Sequence, residues 1–224
     1  MSVEGITETD IASFLAMTPG FFERHAELLG SVQLTSPHGG RAVSLQERQM
    51  EMLRERYRAL EGTIMGMIRH GQENVAIADR LHRWTRAILL TPEPAQLPEV
   101  ILRELKLAFM IPQAGLRIWD VAADFQGLPC AQGASADTRS FAASLMQPYC
   151  GANSGFEAVG WLDDAAQVAS TALVPLRRGT QADAPVFGLL VLGSPDPTRY
   201  SVDMGTDFLT RIGDIAGAAM SRLL

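Results

Sequence analysis

Between Pro37 and Pro92 the chain contains no proline, and through that interval apolar residues return every seven positions in two staggered sets. One set is Met50, Tyr57, Ile64, Gly71, Ala78 and Thr85; the other is Leu53, Leu60, Met67, Asn74, Leu81 and Ile88. Nine of these twelve are apolar, counting Tyr57 and Ala78, which is enough for a coiled-coil seam. Ser44-x-x-Glu47 has the form of a capping box at the start. The spacing therefore predicts a helix over 44–90, roughly 70 Å long at about 1.5 Å per residue. A stripe of that length cannot be buried along its whole course on one small domain. A second copy of the chain is the expected cover, with Met50, Leu53, Tyr57, Leu60, Ile64, Met67, Ala78, Leu81 and Ile88 as the dimer interface. Gly62, Gly66 and Gly71 each weaken the helix by about 1 kcal/mol relative to Ala, and the seam is poorest at Gly71–Asn74.

Residues 1–43 read as a short helical segment. Thr7-x-x-Asp10 can cap a helix bearing Ile11, Phe14 and Leu15 on one face. Thr18-Pro19 reads as the start of a second helix carrying Phe21, Phe22, Ala26 and Leu29, with Gly30 as its stop. Ser36-Pro37-His38-Gly39-Gly40 is turn chemistry. Thr91-Pro92-Glu93-Pro94-Ala95 is a linker, because two prolines in three residues end a helix.

The third segment, 96–224, alternates helical and strand patterns and reads as α+β. Pro98 stands near the start of a helix with Val100, Ile101, Leu105 and Ala108. Gly115 to Asp120, Thr171 to Leu176 and Val186 to Leu192 read as strands, the last apolar on both faces and therefore central. Thr138 to Met146 reads as a helix. Asp203 can cap a final helix with Phe208, Ile212, Ile215, Ala219 and Leu223 at helical spacing.

Several strings resemble the DUF484 family of bacterial proteins, whose shared part is a GAF-like domain. They are Phe21-Phe22 with His25 and Leu28-Leu29; Pro37-His38-Gly39-Gly40; Ser44-Leu45-Gln46-Glu47-Arg48-Gln49; Leu53-Arg54-Glu55-Arg56; Ala172-Leu173-Val174-Pro175-Leu176; and the run from Phe187 to Pro197. Met204-Gly205-Thr206-Asp207-Phe208-Leu209 completes the set. They span nearly the whole chain and are thinnest over 121–169, where Tyr149-Cys150-Gly151 stands alone. The resemblance implies an antiparallel sheet flanked by helices, often with a small-molecule pocket. It implies no activity, since function does not follow from fold.

Composition narrows the chemistry. The formal charge is −6, so the surface as a whole is not a nucleic-acid glove. Residues 41–90 are mildly basic, with nine Arg against six acidic residues, and the interleaved glutamates favour a solvated helix face. Nucleic acid is thus an unlikely partner, though a nucleic-acid or recombination-associated factor stays among the alternatives. The acidic start is no signal peptide, and no apolar run is long enough for a membrane span, so a cytoplasmic location is expected. His25, His38, His70 and His82 have no His or Cys at i+3 or i+4, so no metal is expected, and no cofactor is called for. The neighbours of Cys130 and Cys150 do not match the Cys-His of chromophore-bearing GAF domains, and no cyclic-nucleotide pattern is found.

Two possibilities remain for a site. Cys150 with Cys130 could serve cysteine redox chemistry, as in GAF-fold methionine sulfoxide reductases, although a free Cys is commonly a small buried hydrophobe. Alternatively Arg117, Trp119, Tyr149, Cys150, Trp161 and Arg177 line a ligand pocket on the sheet face opposite the final helix, closed incompletely by 121–165. Inward arginines there would need an acidic ligand or a carboxylate such as Glu157 or Asp163. The leading reading is a non-enzymatic regulatory or adaptor module, a homodimer binding a small molecule or a protein.

Overall fold

The computed structural model describes the backbone of residues 5–31, 33–35, 42–179, 181 and 184–224, and the side chains of those outside 29–47. The turn expected at 36–40 and the side chains of Ser44 and Glu47 lie outside what is described. The chain divides into two compact units, Met1–Gln72 and Glu73–Leu224.

In the first unit, α1 (Glu8–Met17) begins at the expected capping box. The Asp10 amide donates to Thr7 Oγ1 at 3.2 Å, and the Thr7 amide donates back to Asp10 Oδ2 at 2.9 Å. The second expected helix is broken in two, α2 (Phe21–Arg24) and α3 (Ala26–Ser31). Thr18 ends α1 instead of starting α2. At His25 the backbone leaves the helical region (φ −125°, ψ 46°) while the imidazole packs on the Phe21 ring, centroid to centroid 4.7 Å. A short antiparallel hairpin, β1 (Gln33–Thr35) with β2 (Ala42–Ser44), follows. The helical reading did not anticipate it. Then α4 runs as a single helix over Leu45–Leu89, passing through Gly71.

The second unit takes in the last turns of α4. Pro98 occupies the first turn of α5 (Leu97–Phe109), where its missing N–H costs nothing. Four strands form an antiparallel sheet in the order β3-β6-β5-β4: β3 is Gln113–Ile118, β4 Tyr149–Ala152, β5 Ser170–Arg177 and β6 Val186–Ser194. As its two-sided apolar pattern requires, β6 is central. Between β3 and β4 lie α6 (Ala136–Ser144) and several 3₁₀ turns; α7 (Asp207–Met220) follows β6. Asp203 does not cap α7; Thr206 takes that position without a side-chain bond, because a turn from Ser201 to Met204 precedes it.

Strand alternation sends the side chains into two cores. Leu116, Ile118, Ala172, Val174, Leu176, Leu190 and Leu192 meet α5, α7 and the end of α4. On the other face Leu173, Leu189 and Val191 meet Ala142 of α6, Ala158 and Val159 of the Glu157–Trp161 turn, and Leu162 just after it. The fold is therefore α+β: a helical N-terminal segment and a long helix, then an antiparallel sheet with helices on its faces. No helix among the described residues is long and apolar enough to cross a membrane.

Candidate functional site

The sheet separates the six residues expected to share a pocket. Tyr149 and Cys150 are neighbours on β4, so they point to opposite faces. Cys150 is buried in the core beneath α7, whereas Tyr149 joins Trp119 and Trp161 on the other face. That face is filled with aromatic rings. Tyr149 meets Phe156 edge-on at 5.1 Å, and Phe156 packs on Phe141 at 5.5 Å. Gly193 on β6 makes room for the aliphatic Leu162 and Val168, since a Cβ there would stand 2.5 Å from Leu162 Cδ1.

Arg117 leaves β3 on the same face and sits over the Trp161 ring, 5.5 Å from its centroid. Its Nη1 donates to the Leu116 carbonyl at 2.9 Å, and its buried Nε has no hydrogen-bond partner. Trp161 lies at the end of a 3₁₀ turn, Glu157–Trp161. Trp119 is fixed by its Nε1 donating to the Val186 carbonyl at 3.0 Å, and Arg139 stands over its ring. Arg177 is tied up elsewhere. Nη1 donates to the Ala184 carbonyl at 2.8 Å, and Nη2 donates to the carbonyl of Leu145, the residue that ends α6. Among the described residues neither expected carboxylate, Glu157 or Asp163, forms an ion pair with an arginine; Glu157 accepts from the Ser135 amide and hydroxyl at the other end of α6. Those bonds, with Ser135 contributing most and Thr138 next, hold the Glu157 carboxyl below its usual range.

Both thiols are free and buried. Burial pushes the Cys150 thiol up, and it pushes the Cys130 thiol up against smaller opposing effects of a backbone hydrogen bond and of Arg117. An activated cysteine needs the reverse shift. No group of three or more His, Cys, Asp or Glu suited to a metal occurs among the described residues.

Two features escaped the sequence reading. A cavity of about 480 Å³ opens between the end of β5 and α7, lined by Arg177, Arg178, Asp214 and Gly217 among others. Of the six expected site residues only Arg177 reaches it. Its local signal was the small residues Gly217 and Ala218 of α7 beside Asp214. The second feature is a groove of about 740 Å³ between α4 and α7, with Ala78, Leu81, Phe208 and Ile215 in its lining.

The expected dimer seam divides similarly. In the first unit Leu53, Tyr57, Leu60 and Met67 are each 57–68% exposed, with Met50 and Ile64 at 45% and 46%. In the second unit Ala78 is exposed and Leu81 is half-buried against the core. Ile88 departs from expectation. It is 3% exposed and belongs to the unit's own core beside Trp84, because the helix has by then rotated its seam onto α5 and the sheet.

The profile of the family "Protein of unknown function, DUF484" matches residues 1–223. No curated protein matches the sequence. Similar solved structures include the GAF domain of an Acinetobacter phosphoenolpyruvate-protein phosphotransferase, 13% identical, covering 65% of this chain and 93% of that one at a TM-score of 0.47. The A. aeolicus nlh2 GAF domain in an inactive state is 10% identical, covering 66% and 98%, with a TM-score of 0.48. Free methionine-R-sulfoxide reductase from Neisseria meningitidis, solved with its substrate, is 12% identical, covering 65% and 88%, with a TM-score of 0.43.

Proposed function

The chain belongs to the DUF484 family, and from that premise we propose that it is a non-enzymatic regulatory or adaptor module that dimerises through α4. The observation that carries this reading is the exposed apolar stripe of α4 at Leu53, Tyr57, Leu60, Ile64 and Met67. An apolar row of that extent on a water-facing helix costs solubility unless another surface covers it. The heptad spacing makes a like helix the natural cover. Light scattering on the full chain tests it. Wild type should be a dimer at micromolar concentration, and Leu53→Glu with Leu60→Glu should yield monomers or aggregates. A monomeric wild type at that concentration ends this reading.

Cysteine redox chemistry is disfavoured by the burial of both thiols and the direction of their shifts. Folded protein should react with a thiol reagent far more slowly than unfolded protein, and Cys150→Ser should leave no sulfoxide-reducing or peroxide-consuming activity to lose. Rapid native labelling of Cys150 with turnover would reverse the assignment.

An acidic small ligand is a second reading, favoured by the cavity that Arg178 and Arg177 border beside α7. Native mass spectrometry of the freshly purified protein reads oligomer and retained ligand together. A bound mass lost in Arg178→Ala supports the ligand; a bare protein mass in every state counts against it.

A further inference from the structure

The groove between α4 and α7 lies wholly within the second unit, and its α4 wall has a definite register. Asn74, Ala78, Leu81 and Thr85 are four successive seam positions, and Val75, Ile77 and His82 are positions that flank a coiled-coil seam. The opposite wall is Asp207, Phe208, Arg211 and Ile215 of α7. Val75 is 63% exposed, and Arg211 is exposed as well. Beyond the groove the seam closes on the unit's own core at Ile88, beside Trp84. Thus the heptad that calls for a second helix also forms the floor of the groove.

We propose that the groove seats the same segment of α4 from a second copy, parallel and in register, so that α7 is part of the dimer interface. The inference rests on dimerisation through α4 and adds the orientation and the role of α7. The sequence of the seam selects the orientation. In a parallel pair each seam residue ahead of the buried Ile88 meets its own copy, so Gly71 and Asn74 face Gly and Asn. The two Asn74 amides can then satisfy one another. An antiparallel pair with matched ends sets Asn74 against Ile64, burying an amide on an aliphatic side chain; Thr85 does not discriminate, since its hydroxyl already donates to the Leu81 carbonyl at 2.9 Å. Flanking charge agrees. Parallel pairing brings Arg56 beside Glu61 of the second copy, whereas the antiparallel pair brings Arg54 beside His82. The two-fold axis fills both grooves at once, each α4 serving as floor in one and occupant in the other. The chemistry of the walls suits such an occupant. Arg211 and Asp207 give the α7 rim both signs of charge, and α4 carries Glu73, Asp79 and Arg80 through this stretch.

The test uses the full chain with Cys130 and Cys150 replaced by Ala, carrying Ala78→Cys, and separately the wild-type chain carrying Arg211→Glu. A short bismaleimide should join Ala78→Cys chains to one another efficiently. Arg211→Glu should raise the dimer dissociation constant at least tenfold while leaving the circular dichroism spectrum and melting temperature of the second unit unchanged. Phe208→Ala is not used, because Phe208 also packs on Phe109. If mixed Ala78→Cys and Leu60→Cys chains cross-link to each other in preference to themselves, pairing is antiparallel and the proposal is overturned. If the chain dimerises but Arg211→Glu does not weaken it, the copy does not sit against α7 and the groove belongs to another partner; that outcome overturns the proposal and spares the coil. A monomeric wild type overturns both.

Discussion

Arg177, at the end of β5, donates through Nη2 to the carbonyl oxygen of Leu145, and so caps the C-terminus of α6. Its Nη1 holds the Ala184 carbonyl at 2.8 Å, fastening the chain just before β6. A cation at a helix C-terminus also meets the negative end of the helix dipole. Arg177→Ala should lower stability by about 2–3 kcal/mol, the usual worth of hydrogen bonds to a charged group plus orphaned carbonyls. Arg177→Lys should recover part of that. Urea denaturation of the two variants checks it; a loss below about 0.5 kcal/mol for Arg177→Ala would deny the clamp its role.

The same arginine shows where sequence reasoning stopped. An inward arginine was expected to require an acidic ligand or a carboxylate, yet the carbonyls at a helix end serve equally well. No sequence pattern places Leu145 near Arg177, since the contact spans thirty-two positions. What was legible had local signals: the heptad of α4, the two-sided apolar run of β6, Pro98 at the start of α5, and the Thr7–Asp10 box. The hairpin of β1 and β2 was missed because each strand has only three residues, too few for alternation to register. The short β4 was missed likewise, and with it the fact that Tyr149 and Cys150 face opposite ways. Ile88 kept its heptad spacing while its environment changed, which periodicity cannot reveal.

That change gives a sharp contrast between two seam positions. Ile88 is packed in the core with Trp84, whose Nε1 donates to the Ile101 carbonyl at 3.1 Å. Ile88→Ala should destabilise the second unit by about 2–4 kcal/mol, in the range of buried aliphatic truncations. Leu60→Ala removes a side chain that is 57% exposed, and should leave the stability of that unit within about 0.5 kcal/mol of wild type. Denaturation followed by near-ultraviolet signals of the second unit separates them. Equal losses would mean that Ile88 does not belong to this core.

Glu157 predicts an acid dependence. Its carboxylate is held below the ordinary value of 4.5 chiefly by the Ser135 hydroxyl, then by Thr138. A carboxylate depressed in the folded state contributes stability that is complete above its unfolded pKa. That contribution is lost as the pH falls through the lower, folded value. The N-terminal end of α6 should therefore loosen on acidification below about pH 4.5. Asp196, lowered mainly by the Thr198 amide, has the same sign, so wild type will lose stability from both. Glu157→Gln should show a smaller fall in melting temperature between pH 7 and pH 3.5 than wild type. An identical fall would show that Glu157 does not report on folding.

Two glycines in helices should respond to alanine in opposite senses. At Gly217 of α7 an added Cβ would stand 3.0 Å from the Arg177 carbonyl oxygen and 3.4 Å from its amide nitrogen. These are backbone atoms at the end of β5, paired there with Val186 of β6, so strand end and helix must part slightly to admit the new atom. Ala is the better helix former by about 1 kcal/mol, but overpacking of this kind costs about 1–3 kcal/mol. At Gly213, one turn earlier, the Cβ would meet Val174 Cγ1 at 2.8 Å, so both glycines set how closely α7 lies on β5. At Gly66 of α4 nothing lies within 4 Å of the added atom. There the propensity gain of about 1 kcal/mol is unopposed. Gly217→Ala should therefore lower the urea midpoint of the second unit, and Gly66→Ala should raise the melting temperature of the helical signal at 222 nm. Should Gly217→Ala stabilise the protein, α7 must have room to move away from the sheet, and the close approach would play no part in holding the domain together.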